Sequence, residues 1–321
     1  MNKIVIAGAG AIGNYIGVQL VKHGFDVAFL GSSRVIEAEK KYGLTLEYPD
    51  HPADFFPPGR LHFTTDPACC NDADLVIVTV KSLATEKLIG QIKTFVPDRA
   101  SLLTLQNGIS NAEILKTSFP HNTVWGGMVT FNVVEKSPCL FRLTTPGEIY
   151  LEKTLPPLRP LFLQAGIATK EHPRIESILW SKLLLNLINP LNALSGKSLK
   201  QNLEDHHFRL QWAACMREGL AVLKAAGIKP AKVTPLPTGW LPFMVSLPNK
   251  MYLALAKNMT GMDPDAKSSM AQDIEKGNRS EIDYLSGEII KLGKAHGVKT
   301  PVNESVYAAI QKIEHRIHPD R

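Results

Sequence analysis

A glycine-rich turn near the N-terminus constrains the fold of this chain more than any other feature. The residues GAGAIG at positions 8–13 follow a short run of strand-forming residues, Lys3–Ala7, and open a segment with helical apolar spacing. A GxGxxG turn between a strand and a helix is typical of a dinucleotide-binding βαβ unit, although a glycine-rich turn without a ligand is the alternative. The turn is therefore predicted to hold a dinucleotide pyrophosphate through Gly8, Gly10, Ala11, Ile12 and Gly13.

The end of the second predicted strand, Asp26–Leu30, indicates which dinucleotide is bound. An NAD site usually has an acid about 20 residues past the glycines, which holds the ribose hydroxyls. Here the stretch after the strand contains Ser32, Ser33 and Arg34 and no acid. Because a 2′-phosphate needs hydrogen-bond donors and positive charge, we predict NADP as the cofactor, bound through Ser32 and Arg34. The alternative is that Arg34 only opens a solvent-exposed helix.

Alternating strand and helix patterns continue through the first half of the chain. The apolar run at residues 75–80 is typical of a strand buried on both faces of a parallel sheet. From about residue 175 the apolar spacing becomes mostly helical. We therefore predict an α/β protein, with an N-terminal Rossmann-type doubly wound sheet in residues 1–172 and an all-α C-terminal domain in residues 173–321.

Composition limits the class of partner. The chain has 321 residues, of which 44% are hydrophobic and 21% charged, so we expect a globular protein without a membrane span. Its net charge is +6, but acidic and basic residues are interspersed, which favours a small anionic ligand over nucleic acid. The four cysteines lack metal-site spacing, so we expect no metal, reduced thiols and a cytoplasmic location. The oligomeric state stays open, with a homodimer among the options.

A strongly apolar segment at residues 178–190 carries a narrow polar stripe. Lys182, Asn186 and Asn189 fall at i, i+4 and i+7, so they share one face of a helix. Asparagine is a poor helix former, and buried polar residues on a shared face are usually functional or networked. We therefore favour a binding site over a solvent-exposed edge. Pro190 lacks the N–H that would bond the carbonyl of residue 186, so the helix should kink or open there.

Two further polar clusters accompany this stripe. Asn107 lies directly after a predicted strand of the parallel sheet, where loops line the ligand crevice, although a plain Asn–Gly turn is an equal alternative. In the helical half, Ser268 and Ser269 precede a stretch that includes Glu281. Taken alone, Glu281 fits a surface position best.

Taken in order, these motifs resemble the ketopantoate reductase family over nearly the whole chain. The resemblance is carried by the GAGAIG turn without an acid after the second strand, Val80-Lys81, Gln106-Asn107-Gly108, the helix with Lys182, Ser268-Ser269-Met270 with Asp273, and Ser280-Glu281-Ile282-Asp283. It implies a Rossmann domain followed by a helical domain. It also implies an oxidoreductase that reduces a small 2-keto acid with NADPH, in the pathway to pantothenate and coenzyme A.

The resemblance further implies a role for each polar residue. Lys182 would be the catalytic lysine, and Glu281 would be the acidic partner that holds its ammonium in place. Lys81 would reach the cofactor, and Asn107 would sit at the cofactor–substrate junction. The keto acid would be held in a cleft between the domains by Asn107, Asn186, Asn189 and Ser269.

Three departures from the family pattern concern the ligands more than the catalytic lysine. The two asparagines after Lys182 are three residues apart instead of the usual four, and Ser32 occupies a position where members often carry Arg. Members that use ketopantoate often have Asn where this chain has Ala266. The alternatives are therefore a dehydrogenase for another 2-keto or 3-hydroxy acid, and a non-enzymatic redox sensor that binds NADP.

Overall fold

The structure, a computed structural model, describes residues 3–153, 155, 157–255 and 264–318. It divides into two compact units, Met1–Ile175 and Glu176–Arg321, which we call unit 1 and unit 2. The domain boundary predicted from the sequence lies after residue 172, and the division between the units follows Ile175.

Unit 1 contains two β-sheets. The strands in chain order are β1 (Lys3–Ala7), β2 (Asp26–Leu30), β3 (Leu44–Glu47), β4 (Asp54–Phe56), β5 (His62–Thr64), β6 (Leu75–Val78), β7 (Ser101–Thr104), β8 (Thr123–Val129), β9 (Asn132–Ser137), β10 (Leu140–Thr145), β11 (Ile149–Glu152) and β12 (Thr169–His172). The larger sheet has the order β12-β11-β8-β7-β6-β1-β2-β5, and its run from β8 to β5 is parallel throughout. This order confirms the predicted Rossmann-type sheet.

Helices cover both faces of the larger sheet. The helices of unit 1 are α1 (Ala11–Lys22), α2 (Ser33–Tyr42), α3 (Thr85–Ile92), α4 (Asn111–Ser118) and α5 (Arg159–Gln164). Along β1, Ile4 belongs to one core together with Ile16 of α1. Its neighbour Val5 belongs to a second core together with Leu88 of α3. Because both faces are buried, β1 and β6 are continuous apolar runs rather than alternating ones.

A second sheet of four strands, which we did not predict, has the order β4-β3-β10-β9. Its inner face carries Leu44, Leu46, Phe141 and Leu143, all buried in the same core as α1. Its strands are three to six residues long and pair segments up to 95 residues apart, such as Leu46 with Phe141. Periodicity in the sequence cannot reveal a pairing between segments so far apart.

In the part of unit 2 that the structure describes, all regular secondary structure is helical, as predicted. Its helices are α6 (Ile175–Asn186), α7 (Ile188–Ser195), α8 (Leu199–Glu204), α9 (His206–Ala225), α10 (Leu241–Val245), α11 (Asn249–Leu255), α12 (Ser269–Glu275), α13 (Ser286–Ala295) and α14 (Pro301–Ile317). The helix that carries the polar stripe breaks at Leu187, between α6 and α7. This break is the opening expected from Pro190, whose missing N–H leaves the carbonyl of Asn186 without its helical donor.

Helix α14 begins at Pro301, directly after its N-cap residue Thr300, but the cap comes from another helix. The Thr300 hydroxyl donates to Glu304, 3.3 Å away. The Glu218 carboxylate, on α9, accepts from the backbone N–H groups of Val302 at 2.8 Å and Asn303 at 2.9 Å. Thus a carboxylate from another helix satisfies the first turn of α14. Within the ranges given above, no helix is both long and apolar enough to cross a membrane.

Candidate active site

The glycines at positions 8, 10 and 13 each have the geometry that a dinucleotide turn requires. Gly8 has φ +119°, a conformation that other residues rarely adopt. A Cβ on Gly13 would lie 2.1 Å from the Gly8 carbonyl oxygen and 2.6 Å from the Thr79 hydroxyl, so helix α1 packs directly on the strands. A Cβ on Gly10 would meet none of the described atoms within 4 Å. The second glycine thus faces open space, where a pyrophosphate can approach the backbone.

The N-terminus of α1 adds donors to this turn. Gly10 is its N-cap, and within the described residues neither a side-chain cap bond nor an acid occupies its first turn. Backbone N–H groups at such an end and the helix dipole favour negative charge. The chain therefore fits the diphosphate of a dinucleotide at residues 8–13.

Alanine at Gly10 and alanine at Gly13 should have different effects. We expect Gly10→Ala to lower the melting temperature only slightly, the cost of alanine at an N-cap, and to weaken NADPH binding roughly tenfold or more, because the new methyl group occupies the ligand's space. Gly13→Ala should lower the melting temperature much more, because its methyl group must displace backbone. Thermal unfolding and NADPH fluorescence titration measure both properties. Normal NADPH affinity in Gly10→Ala would show that the ligand does not approach this glycine.

The turn after β2 lies beside the glycine turn. The Gly8 N–H donates to the Leu30 carbonyl at 3.0 Å, so the two turns are adjacent. Ser32 and Arg34 are both exposed at the start of α2. Arg34 faces an acid that local sequence could not show, since its Nη2 lies 3.6 Å from Oε2 of Glu135 on β9.

A buried polar network joins the loops that follow β6 and β7. The Asn107 carbonyl accepts from the Ser82 hydroxyl at 2.8 Å and from Asn111 Nδ2 at 2.6 Å. Gln106 Nε2 donates to the Thr85 hydroxyl at 2.7 Å. This network fixes the Asn107 backbone while its side chain stays exposed, and Lys81 is exposed on the adjoining loop.

The network residues Ser82, Thr85 and Asn111 were not among the predicted site residues. They come shortly after two neighbouring parallel strands, and polar residues at that position are a signal that could have found them. Ser82 and Asn111 hold the Asn107 carbonyl in place, at the same end of the sheet as the glycine turn.

In unit 2 the structure places the predicted polar stripe on two consecutive helices. Lys182 and Asn186 lie on α6 and Asn189 on α7, and all three are half-buried. Burial lowers the pKa of the Lys182 ammonium below its ordinary value. A lysine with a lowered pKa gives up its proton more readily near neutral pH.

Helix α12 starts against this stripe. The Ser268 hydroxyl donates to the Asn189 carbonyl at 3.2 Å and accepts from the Ala271 N–H as the N-cap of α12. Asn192, which is 0% exposed, accepts from the Ser268 N–H at 2.9 Å and so fixes the same end. Ser269, the predicted ligand, is the exposed first residue of the helix. The sequence did not single out Asn192, which lies beyond the stripe on the same helix.

Glu281 is half-buried just before a 3₁₀ turn, Ile282–Tyr284, which precedes α13. Its role as the partner of Lys182 stays a prediction. Among the described residues, no group of three His, Cys, Asp or Glu side chains could hold a metal ion.

Comparisons with known proteins identify the family. The family model described as ketopantoate reductase PanE/ApbA matches residues 4–155, and the model of its C terminal matches residues 174–314. The 2-dehydropantoate 2-reductase of Pyrococcus horikoshii is 29% identical over 97% of this chain and 97% of its own length. A PanE/ApbA family ketopantoate reductase from Ralstonia eutropha JMP134 has a TM-score of 0.83 and 29% identity, with 98% of this chain and 99% of that chain covered.

A second solved structure shows the same fold in another reductase. D-mandelate dehydrogenase with NADH and anilino(oxo)acetate has a TM-score of 0.83 at 21% identity, covering 98% of this chain and 99% of that chain. At this identity the likeness concerns the fold alone. The two family models span both units, which argues against a non-enzymatic sensor. The chain belongs to the ketopantoate reductase PanE/ApbA family and is an oxidoreductase of that family.

Proposed function

We propose that this protein reduces a 2-keto acid with NADPH, and that the keto acid is ketopantoate (2-dehydropantoate), reduced to pantoate for pantothenate and coenzyme A synthesis. The observation that carries the proposal is Lys182, a half-buried cation with a lowered pKa, in a polar stripe with Asn186 and Asn189 on the consecutive apolar helices α6 and α7. Reduction of a carbonyl needs such a cation, because negative charge builds on the oxygen as hydride arrives. NADPH, when bound, supplies the hydride.

The other polar residues bind and orient in this proposal. The ammonium of Lys182 polarises the keto oxygen and then gives it a proton from Nζ. Asn186, Asn189 and Ser269 donate hydrogen bonds to substrate oxygens without adding charge. Glu281 holds the ammonium in position. In unit 1, Asn107 and Lys81 stand on loops fixed by the buried network, which is the rigidity that cofactor positioning requires.

NADPH is proposed over NADH because of the turn after β2. Arg34→Ala should weaken NADPH binding roughly tenfold, the cost of one lost charge-assisted hydrogen bond, and should hardly change NADH binding. Fluorescence titration with both cofactors measures this difference. Wild-type protein that binds NADH as tightly as NADPH would contradict the choice of cofactor.

The substrate has a second candidate class, the 2-keto acids with other side chains. Ala266 stands where family members that use ketopantoate often carry Asn, and its carbonyl accepts from the Leu199 N–H at 2.8 Å. D-mandelate dehydrogenase, which shares the fold, is solved with anilino(oxo)acetate, so an aromatic 2-keto acid is included in the test.

Initial rates of NADPH oxidation test the proposal. We expect kcat/KM to be highest with ketopantoate in a panel that includes branched aliphatic and aromatic 2-keto acids. An aromatic acid at the top would keep the reaction class and change the substrate. The absence of turnover with every member, in protein that binds NADPH, would contradict the proposed activity.

We also propose that the protein works in the cytoplasm. Its four cysteines are free thiols, as a reducing compartment requires.

A further inference from the structure

The contact between Arg34 and Glu135 joins two segments about 100 residues apart in the sequence. Arg34 is the residue that we propose binds the 2′-phosphate of NADPH. Its side chain is 74% exposed, whereas that of Glu135 is only 30% exposed. The guanidinium is therefore accessible to a ligand while it already faces a carboxylate.

The register of the small sheet directs Glu135 toward α2. Glu135 pairs with Phe141, which in turn pairs with Leu46, and both apolar partners are buried in the core of unit 1. Val133, two residues before Glu135 on β9, packs against the same core. Because paired residues share a face of a sheet, Glu135 lies on the inner face, at the edge strand.

The hairpin that carries Glu135 is tied to the start of α2. Cys139, in the turn between β9 and β10, has φ +58°, and its Sγ donates to the Val35 carbonyl at 3.7 Å. Burial raises the pKa of the Cys139 thiol to about 11; the Glu135 carboxylate contributes to this rise and Arg34 opposes it, so both charges lie near the thiol. The carboxylate is thus held beside Arg34 by the fold and is not a freely moving surface group.

We propose that Glu135 is a specificity-determining residue for the cofactor, whose carboxylate occupies Arg34 and competes with the 2′-phosphate of NADPH. This inference rests on the proposed function, because it requires Arg34 to bind that phosphate. Glu135 then lowers the preference for NADPH in two ways. The phosphate must displace the carboxylate from the guanidinium, and the two anions repel each other when both are near it.

Binding of cofactor fragments isolates the effect from catalysis. Adenosine 2′,5′-bisphosphate carries the 2′-phosphate and AMP lacks it. We expect Glu135→Gln to tighten binding of the bisphosphate, and of NADPH, on the order of 3- to 10-fold at low ionic strength, and to change AMP and NADH binding less than about twofold. Since the Arg34 guanidinium is largely exposed to solvent, added salt should reduce the gain.

Two further variants provide the controls. Glu47→Gln removes the same charge from the outer face of the same sheet, where Glu47 pairs with Arg142 at 2.5 Å, and should leave the bisphosphate affinity unchanged. In an Arg34→Ala background, Glu135→Gln should give less than about half of the gain in bisphosphate binding free energy that it gives in the wild type. Without Arg34 the phosphate has no carboxylate to displace from a guanidinium, and only the repulsion between the two anions is left to relieve.

The outcomes separate the inference from the proposed function. If Arg34→Ala weakens bisphosphate binding but Glu135→Gln does not change it, the inference about Glu135 is wrong and the proposed cofactor stands. If Arg34→Ala leaves the affinities for the bisphosphate and for AMP unchanged, Arg34 does not bind the 2′-phosphate. The inference about Glu135 and the proposed role of Arg34 are then both wrong. A loss of AMP and NADH affinity in Glu135→Gln would overturn the inference by showing that the carboxylate binds the ribose hydroxyls instead.

Discussion

Replacement of Lys182 by Met is expected to lower turnover of the keto acid by roughly 10²–10⁴, the usual contribution of a general acid, while NADPH affinity stays nearly unchanged. Methionine keeps much of the length of the side chain and removes its charge. Because burial disfavours the charged form of Lys182, its loss should not lower the free energy of unfolding. Steady-state kinetics, cofactor titration and chemical denaturation measure the three quantities. Near-normal turnover would remove Lys182 from the mechanism.

The pH dependence of turnover provides a second test of Lys182. Only the protonated amine can donate, so kcat should fall as pH rises through the pKa of Lys182, which burial places below the ordinary value of a lysine. Lys182→Arg keeps a cation whose pKa is higher, and any residual activity should lose this alkaline decline. A decline at the same pH in Lys182→Arg would assign the titration to another group.

Glu281→Gln should lower turnover in the same direction as Lys182→Met, because it loosens the same ammonium. The double variant should be no worse than Lys182→Met alone, since both residues serve one group. Fully additive losses would show that Glu281 acts independently of Lys182.

Replacement of Arg209 by Met is expected to lower the free energy of unfolding by about 3–5 kcal/mol, the largest stability effect that we predict. Arg209, on α9, is 0% exposed and donates to the carbonyls of Leu203, Val245 and Leu247 at 2.8–3.0 Å and to Asn249 Oδ1 at 2.9 Å. Its guanidinium also lies 4.1 Å from the centre of the Tyr252 ring. Methionine leaves these buried acceptors without a donor.

Arg217 offers a matched control on the same helix. It is exposed, and its Nη2 donates to the Ser246 hydroxyl, 2.8 Å away. Arg217→Met should cost at most about 1 kcal/mol, because its partner can bond to water instead. Chemical denaturation of both variants measures the difference. Equal losses would contradict the structural role given to the burial of Arg209.

The Rossmann half of the fold could be predicted because its signals are local. Each of these signals is contained in a short stretch of sequence: the glycine turn, the buried run of β6 and the strand–helix alternation. The predicted strand ends agree with the structure to within a few residues. The break at Leu187 followed from the chemistry of one residue, Pro190.

The features that the sequence did not predict depend on contacts between distant segments. The small sheet, and with it Glu135, is assembled from strands whose partners lie up to 95 residues away. Residues 230–248 are rich in proline, a composition typical of a connection, yet they contain α10, whose end is fixed by Arg209. In the sequence, Asn192 looks like an ordinary polar residue, because its partner Ser268 is 76 residues away and only the fold brings the two together. Such pairings leave no periodic signal in either segment.

Transfer of labelled hydride tests the central claim most directly. The protein is incubated with ketopantoate and NADPH carrying deuterium at the transferred C4 position, and the product is analysed by mass spectrometry. We expect pantoate with one deuterium at the carbon of the former carbonyl, formed by wild-type protein and nearly absent with Lys182→Met. Tight NADPH binding without deuterium in the product of any 2-keto acid would contradict the proposed activity.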